Sequence, residues 1–144
     1  MAEINTTLKQ LRLTQAGIVI FLLISITLGE LAPKRSVPPW SFSHSLMAAL
    51  GLVCLFEAFN FRYRFLPAAA AKLARDVTDA AALRRWRAWQ LMCFTMVASS
   101  AFYGFVMRMA LYSPLWQALL FYVPGICLLL IWTPRLPAPA PAKR

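Results

Sequence analysis

Along the chain, apolar residues gather into four long blocks separated by short polar or charged stretches. The blocks are "LTQAGIVIFLLISITLGEL" from Leu13 to Leu31, a second from about Phe42 to Phe61, "AWQLMCFTMVASSAFYGFVM" from Ala88 to Met107, and "LWQALLFYVPGICLLLIW" from Leu115 to Trp132. Each approaches the ~20 residues a helix needs to cross a hydrocarbon core. No two-residue alternation punctuated by turns supports a barrel. The pattern predicts an all-α, integral membrane four-helix bundle over residues 1–132, built as two transmembrane hairpins.

The stretches between the blocks refine this outline. In the linker 62–87, Pro67 should end or kink the second helix, the alanines after it favour a new helical stretch, and Asp79 is placed to cap the third helix. Leu66, Ala69, Leu73 and Val77 recur at helical spacing, as in a short element lying on a bilayer surface. Ser113 and Pro114 read as N-cap and first residue of the fourth helix, which Pro124-Gly125 should kink. Residues 133–144, "TPRLPAPAPAKR", form a proline-alternating basic tail. Small residues would allow close helix approach at Ser25 and Gly29, at Ser100 and Gly104, and at Ser45, Ala48, Ala49 and Gly51.

Composition agrees with a membrane solvent: 60% of the 144 residues are hydrophobic and only five are acidic. The first block follows Lys9 and Arg12, as a signal peptide would. Its apolar core is too long for one, and "ELAPKRSVPPW" after Gly29 lacks a small-x-small cleavage pattern, so it reads as a retained helix. Charge sets the expected orientation. Lys9, Arg12, Arg62, Arg64, Lys72, Arg75, Arg84, Arg85, Arg87, Arg135, Lys143 and Arg144 fall on the N-terminal side, against Lys34, Arg35 and Arg108 on the other, so both termini should be cytoplasmic. The net charge of +10 concentrates beside the spans, which favours anionic headgroups over nucleic acid. Trp86 and Trp89, interleaved with Arg84, Arg85 and Arg87, read as a lipid anchor or a docking surface for another subunit.

Candidate chemistry is sparse. Cys54, Cys93 and Cys127 lie singly in three blocks, and there is neither a glycine-rich phosphate loop nor a metal-ligand cluster. The lone histidine, His44, excludes a bis-imidazole haem held by this chain; it reads as an interfacial residue, with ligation of a single chlorophyll as the alternative. Glu57, Asn60 and Arg64 share one helical face near the inner boundary, as a structural pair or an ion site. Glu30 and Arg108 each end an outward-running helix and could meet at the outer interface.

Two resemblances add to this reading. "VASSAFYGFVMRMAL" resembles the carboxyl-terminal helix of the proteolipid c subunit of rotary ATPases, with Ala98 where that family carries its proton-binding carboxylate. Across the whole chain, "DAAALRRWRAWQ", "YGFVMR" and "SPLWQALLFYVPG" are similar to small four-helix bacterial membrane proteins, which implies architecture and no activity. The expected function is a non-catalytic accessory or scaffold subunit of a larger inner-membrane complex. A small channel or transporter using Glu57 is the alternative.

Overall fold

The computed structural model describes residues 2–31, 39–76 and 78–135, all of them in helices or short connections. Helix α1 is Ala2–Leu31, α2 is Phe42–Asn60, α3 is Leu66–Arg75, α4 is Ala80–Ala110 and α5 is Leu115–Ile131. A π-helical turn, Phe61–Phe65, joins α2 to α3 without a break. Among the described residues, three stretches are long and apolar enough to cross a membrane: Glu3–Leu31, Phe42–Arg75 and Ala80–Ala110, while α5 is a shorter apolar helix of 17 residues. At ~1.5 Å per residue, each long helix exceeds a ~30 Å hydrocarbon core by roughly a third or more. The helices therefore run past the apolar blocks that mark them in the sequence.

Of the two outcomes expected at Pro67, an end or a kink, the second helix does not end there. Pro67 has no N–H to give the Tyr63 carbonyl, and its ring crowds the preceding turn. The chain responds by widening that turn rather than ending it, and the Leu66 N–H reaches back five residues to the Phe61 carbonyl. A π turn holds one residue more than an α turn, so side chains beyond it lag by up to ~100° around the axis. The helix then ends in a compact turn. Asp76 accepts from the Thr78 N–H at 2.9 Å and hydroxyl at 2.7 Å, and Asp79 caps α4 by accepting from Ala81 and Ala82 N–H.

Helix α4 is the hub, with α1, α2 and α5 all packed against it. No extended contact joins α1 to α2, so the first sequence hairpin is a pair in chain order only. Glycines set the closest approaches. A Cβ at Gly104 would lie 2.9 Å from Phe121 Cβ and 3.0 Å from the Ala118 carbonyl oxygen, and one at Gly125 would lie 2.8 Å from Ala101 Cβ. Gly29 faces Phe105 and Met109, and Gly51 receives the Phe121 ring. Small residues thus let the helix backbones approach closely.

On α1 and α2 many large apolar side chains face outward, and small and polar residues share the buried stripe with Leu11 and Leu22. On α1 the buried stripe includes Thr7, Gln15, Ser25 and Gly29, whereas Ile20, Phe21, Leu23, Ile24 and Leu28 face outward. Beyond the Trp132 end, Ile4 and Leu11 of α1, Leu66, Ala69 and Leu73 of α3, and Ala82, Leu83 and Trp86 of α4 join one buried cluster. The α3 stripe is therefore spent on helix packing and does not lie open for a bilayer surface. Val77, Lys34, Arg35, Lys143 and Arg144 fall outside the described residues.

The turn into α5 departs from expectation, and the tail begins inside the fold. Pro134, the second tail residue, is fully buried, while residues 136–144 lie outside the described range. Helix α5 begins one residue late, with Pro114 as N-cap. Ser113 is held in the turn instead: its N–H donates to the Met107 carbonyl, and its carbonyl accepts from Arg108. Tyr112 beside it takes φ 53°, the left-handed region that a non-glycine residue enters at some strain.

Candidate functional site

Two polar clusters cap opposite ends of the helices. At the end bearing Trp40, the Arg108 guanidinium grips Glu30 through Nε at 2.7 Å and Nη2 at 2.9 Å, while Nη1 donates to the Ser113 carbonyl at 2.8 Å. The fork thus ties α1, α4 and the turn into α5. Its side chains are 13% and 28% exposed, so water screens the pair only in part. Both members of the expected outer pair therefore come together. Sequence spacing placed them at one level, and the contact of α1 with α4 lets them meet.

His44 is committed to the start of α2. Its Nδ1 accepts from the Ser41 N–H at 3.2 Å and lies 2.8 Å from the Ser41 hydroxyl, and the ring packs 5.1 Å from Trp40. An Nδ1 that accepts a backbone N–H leaves the proton of a neutral imidazole on Nε2. The ring then has no free lone pair for a magnesium or iron ion, and the residue is only 3% exposed. Chlorophyll does not fit this imidazole, and neither does an interfacial histidine open to headgroups; it is a cap. Among the described residues, no group of three or more potential metal ligands gathers anywhere.

Glu57 and Asn60 do meet, with Asn60 Nδ2 donating to Glu57 Oε2 at 3.4 Å. Arg64 does not join them: it is exposed and, among the described residues, forms no ion pair. The cause is the π turn between them, which rotates Arg64 off the face that an unbroken α-helix would share with Glu57. Glu57 is half-buried on a helix whose neighbouring positions Val53 and Phe56 are exposed and apolar.

The linker cluster divides between interior and surface. Arg84, Arg85 and Arg87 are exposed, but Trp86 is 2% exposed among the core residues of α3 and α4, so its indole is unavailable for docking. Trp89 is half-buried and stacks on Phe65 at 4.9 Å and Phe61 at 5.5 Å. Arginine at 84, 85 and 87 marks the outer faces of α4; the 3.6-residue period puts 82, 83, 86 and 90 on the inner one.

Two residues with structural work, Gln15 and Trp132, were not singled out from sequence. Gln15 donates its side-chain amide to the Leu129 carbonyl, one of the terminal carbonyls of α5 that lack an intrahelical donor. Trp132 gathers a cluster at the same end: Phe59 and Tyr63 meet it edge-on at 5.1 and 6.3 Å, and the Arg62 guanidinium lies 5.7 Å from its ring. A polar residue recurring on the otherwise small-residue stripe of α1 was the available signal for Gln15. Nothing in local spacing announces the Trp132 cluster, because it joins residues seventy positions apart. Comparison with protein-family models, with characterised proteins and with solved structures finds no match to this chain.

Proposed function

We propose that the chain is a non-catalytic accessory or scaffold subunit of a larger complex in the bacterial inner membrane, spanning it four times with both termini and the α3–α4 turn in the cytoplasm. The observation that carries this reading is Glu57. Among the described residues it has an amide neighbour and no cation, and it sits on the sparsely covered helix α2, whose apolar window is only 17% buried inside the chain. A lone charge in a membrane helix costs about 2.5–3.5 kcal/mol at mid-span and less near the boundary. A cation from a neighbouring subunit, seated on α2, offsets that cost and selects its partner at the same time.

The interior supports the same reading. Gly51, Gly104 and Gly125 lie so close to Phe121, Ala118 and Ala101 that a single added carbon would collide, which leaves no lumen along these contacts for a transported species. The twelve-to-three division of Lys and Arg supports the orientation.

The test is Glu57→Gln in native membranes. The change should lower co-purification of larger partners by about tenfold while leaving the thermal stability of the isolated chain in detergent unchanged, because the lost partner is external. Proton or cation flux through vesicles holding the chain alone, abolished by Glu57→Gln, would replace this reading with a transport one.

A further inference from the structure

A cavity of about 300 Å³ opens at the Trp132 end between the π turn, α4 and the first tail residues. Arg62, Arg135 and Gln90 line it together with Tyr63, Trp86 and Pro67. Two guanidinium groups on one small cavity repel each other unless an anion lies between them. Among the described residues none is supplied: the acidic side chains there are Glu3, Glu30, Glu57, Asp76 and Asp79, and none of them pairs with Arg62 or Arg135. Gln90 points to the same missing group. It is 1% exposed, and among the described residues its Nε2 has no hydrogen-bond acceptor, a costly state for a buried donor.

Arg62 is also held in place rather than free to swing into water. Its guanidinium rests over the Trp132 ring, itself fixed by Phe59 and Tyr63. Pro67 contributes through the π turn, which contains Arg62 and Tyr63 and sets their angle around the axis. Two fork-shaped cations, a buried amide donor and flanking aromatic rings make a receptor for a tetrahedral oxyanion.

We propose that this niche binds the phosphate of an anionic phospholipid headgroup, one per chain. Along α2 the niche lies about 20 residues, roughly 30 Å, from the Trp40 end, which is the thickness of a bilayer's hydrocarbon core and so sets the niche at the edge where headgroup phosphates begin. The exposed Tyr63 ring beside it suits that boundary. Free phosphate carries the same chemistry and is separated from the lipid by experiment.

The full chain, purified in mild detergent, would be examined by native mass spectrometry with phosphatidylglycerol, with phosphatidylcholine, and with phosphatidylglycerol plus excess inorganic phosphate. The expected result is one tightly retained phosphatidylglycerol, weaker retention of phosphatidylcholine, and a loss of about tenfold in affinity for Arg62→Gln and for Arg135→Gln. Gln90→Leu should weaken retention severalfold, and Arg84→Gln with Arg87→Gln should leave it unchanged. Displacement of the lipid by inorganic phosphate, with the same variant dependence, would keep the site but assign it to the free anion and overturn the lipid assignment. Arg135 lies exposed beyond α5, so Arg135→Gln leaves the helices intact and decides the matter even if Arg62→Gln fails to fold. Retention of either anion that is equal in wild type and Arg135→Gln overturns the proposal.

Discussion

Single residues hold the two ends together, and their effects should separate by what each removal strands. Glu30→Gln leaves Arg108 with a weaker acceptor in a place only partly open to water, and should destabilise the chain by about 2–3 kcal/mol in detergent unfolding, with part of the loss restored by adding Arg108→Gln. Gln15→Leu should cost about 1–3 kcal/mol in the same assay, since the Leu129 carbonyl loses its donor. Trp86→Ala should act as a core truncation, at about 3–5 kcal/mol, rather than as a change at a docking surface. How much of this was legible varied with distance in sequence. Glu30 and Arg108 were readable because each marks the same end of its helix. Trp86 was misassigned because arginines on three sides of it describe the outer faces of α4, while the residue itself belongs to the inner one. His44 gave no sign of its capping role beyond a serine three positions earlier.

At the level of elements, the apolar blocks located four helices but not their lengths, since a helix that leaves hydrocarbon continues wherever its next face finds a partner. α3 and the first turns of α4 persist because Leu73 and Trp86 pack together with α1. The cap at Asp79 was readable from its position before an alanine run, and Asp79→Ala should weaken the start of α4 by about 1 kcal/mol. Its neighbour Asp76 is held below the ordinary carboxylate range by the Thr78 hydroxyl first and then by the Thr78 N–H. The folded value is therefore the lower one, so the turn's contribution is present above the unfolded carboxylate value and is lost as pH falls through the lowered folded value. A carboxyl-carbon NMR titration should show that order, and Thr78→Val should raise the Asp76 midpoint. Glycines give a paired test of packing. Gly104→Ala forces a carbon against the Ala118 carbonyl and should cost about 1–3 kcal/mol, whereas Gly17→Ala meets nothing within 4 Å and should be neutral or stabilising by up to about 1 kcal/mol. Sequence marked Gly104 as a packing site but could not say that α5 is its partner. The π turn was hidden for another reason: Pro67 signals only that a regular turn fails, and whether the chain bends, stops or widens depends on packing from elsewhere.

For the molecule as a whole, the large apolar side chains exposed on α1 and α2 suit a hydrocarbon surrounding, and a packed helical layer continues beyond them at the Trp132 end. Reporters inserted near Thr78 and fused after Arg144 should both report cytoplasm, as the positive charges require. In the proposed assembly α2, with Glu57 on its surface, is completed by another subunit, and the native mass of the untagged protein extracted in mild detergent reads this out. The expected species lies far above the 16.2 kDa of the bare chain and contains other membrane subunits at fixed stoichiometry. A monomer, or an oligomer of this chain alone, at every detergent strength would contradict it.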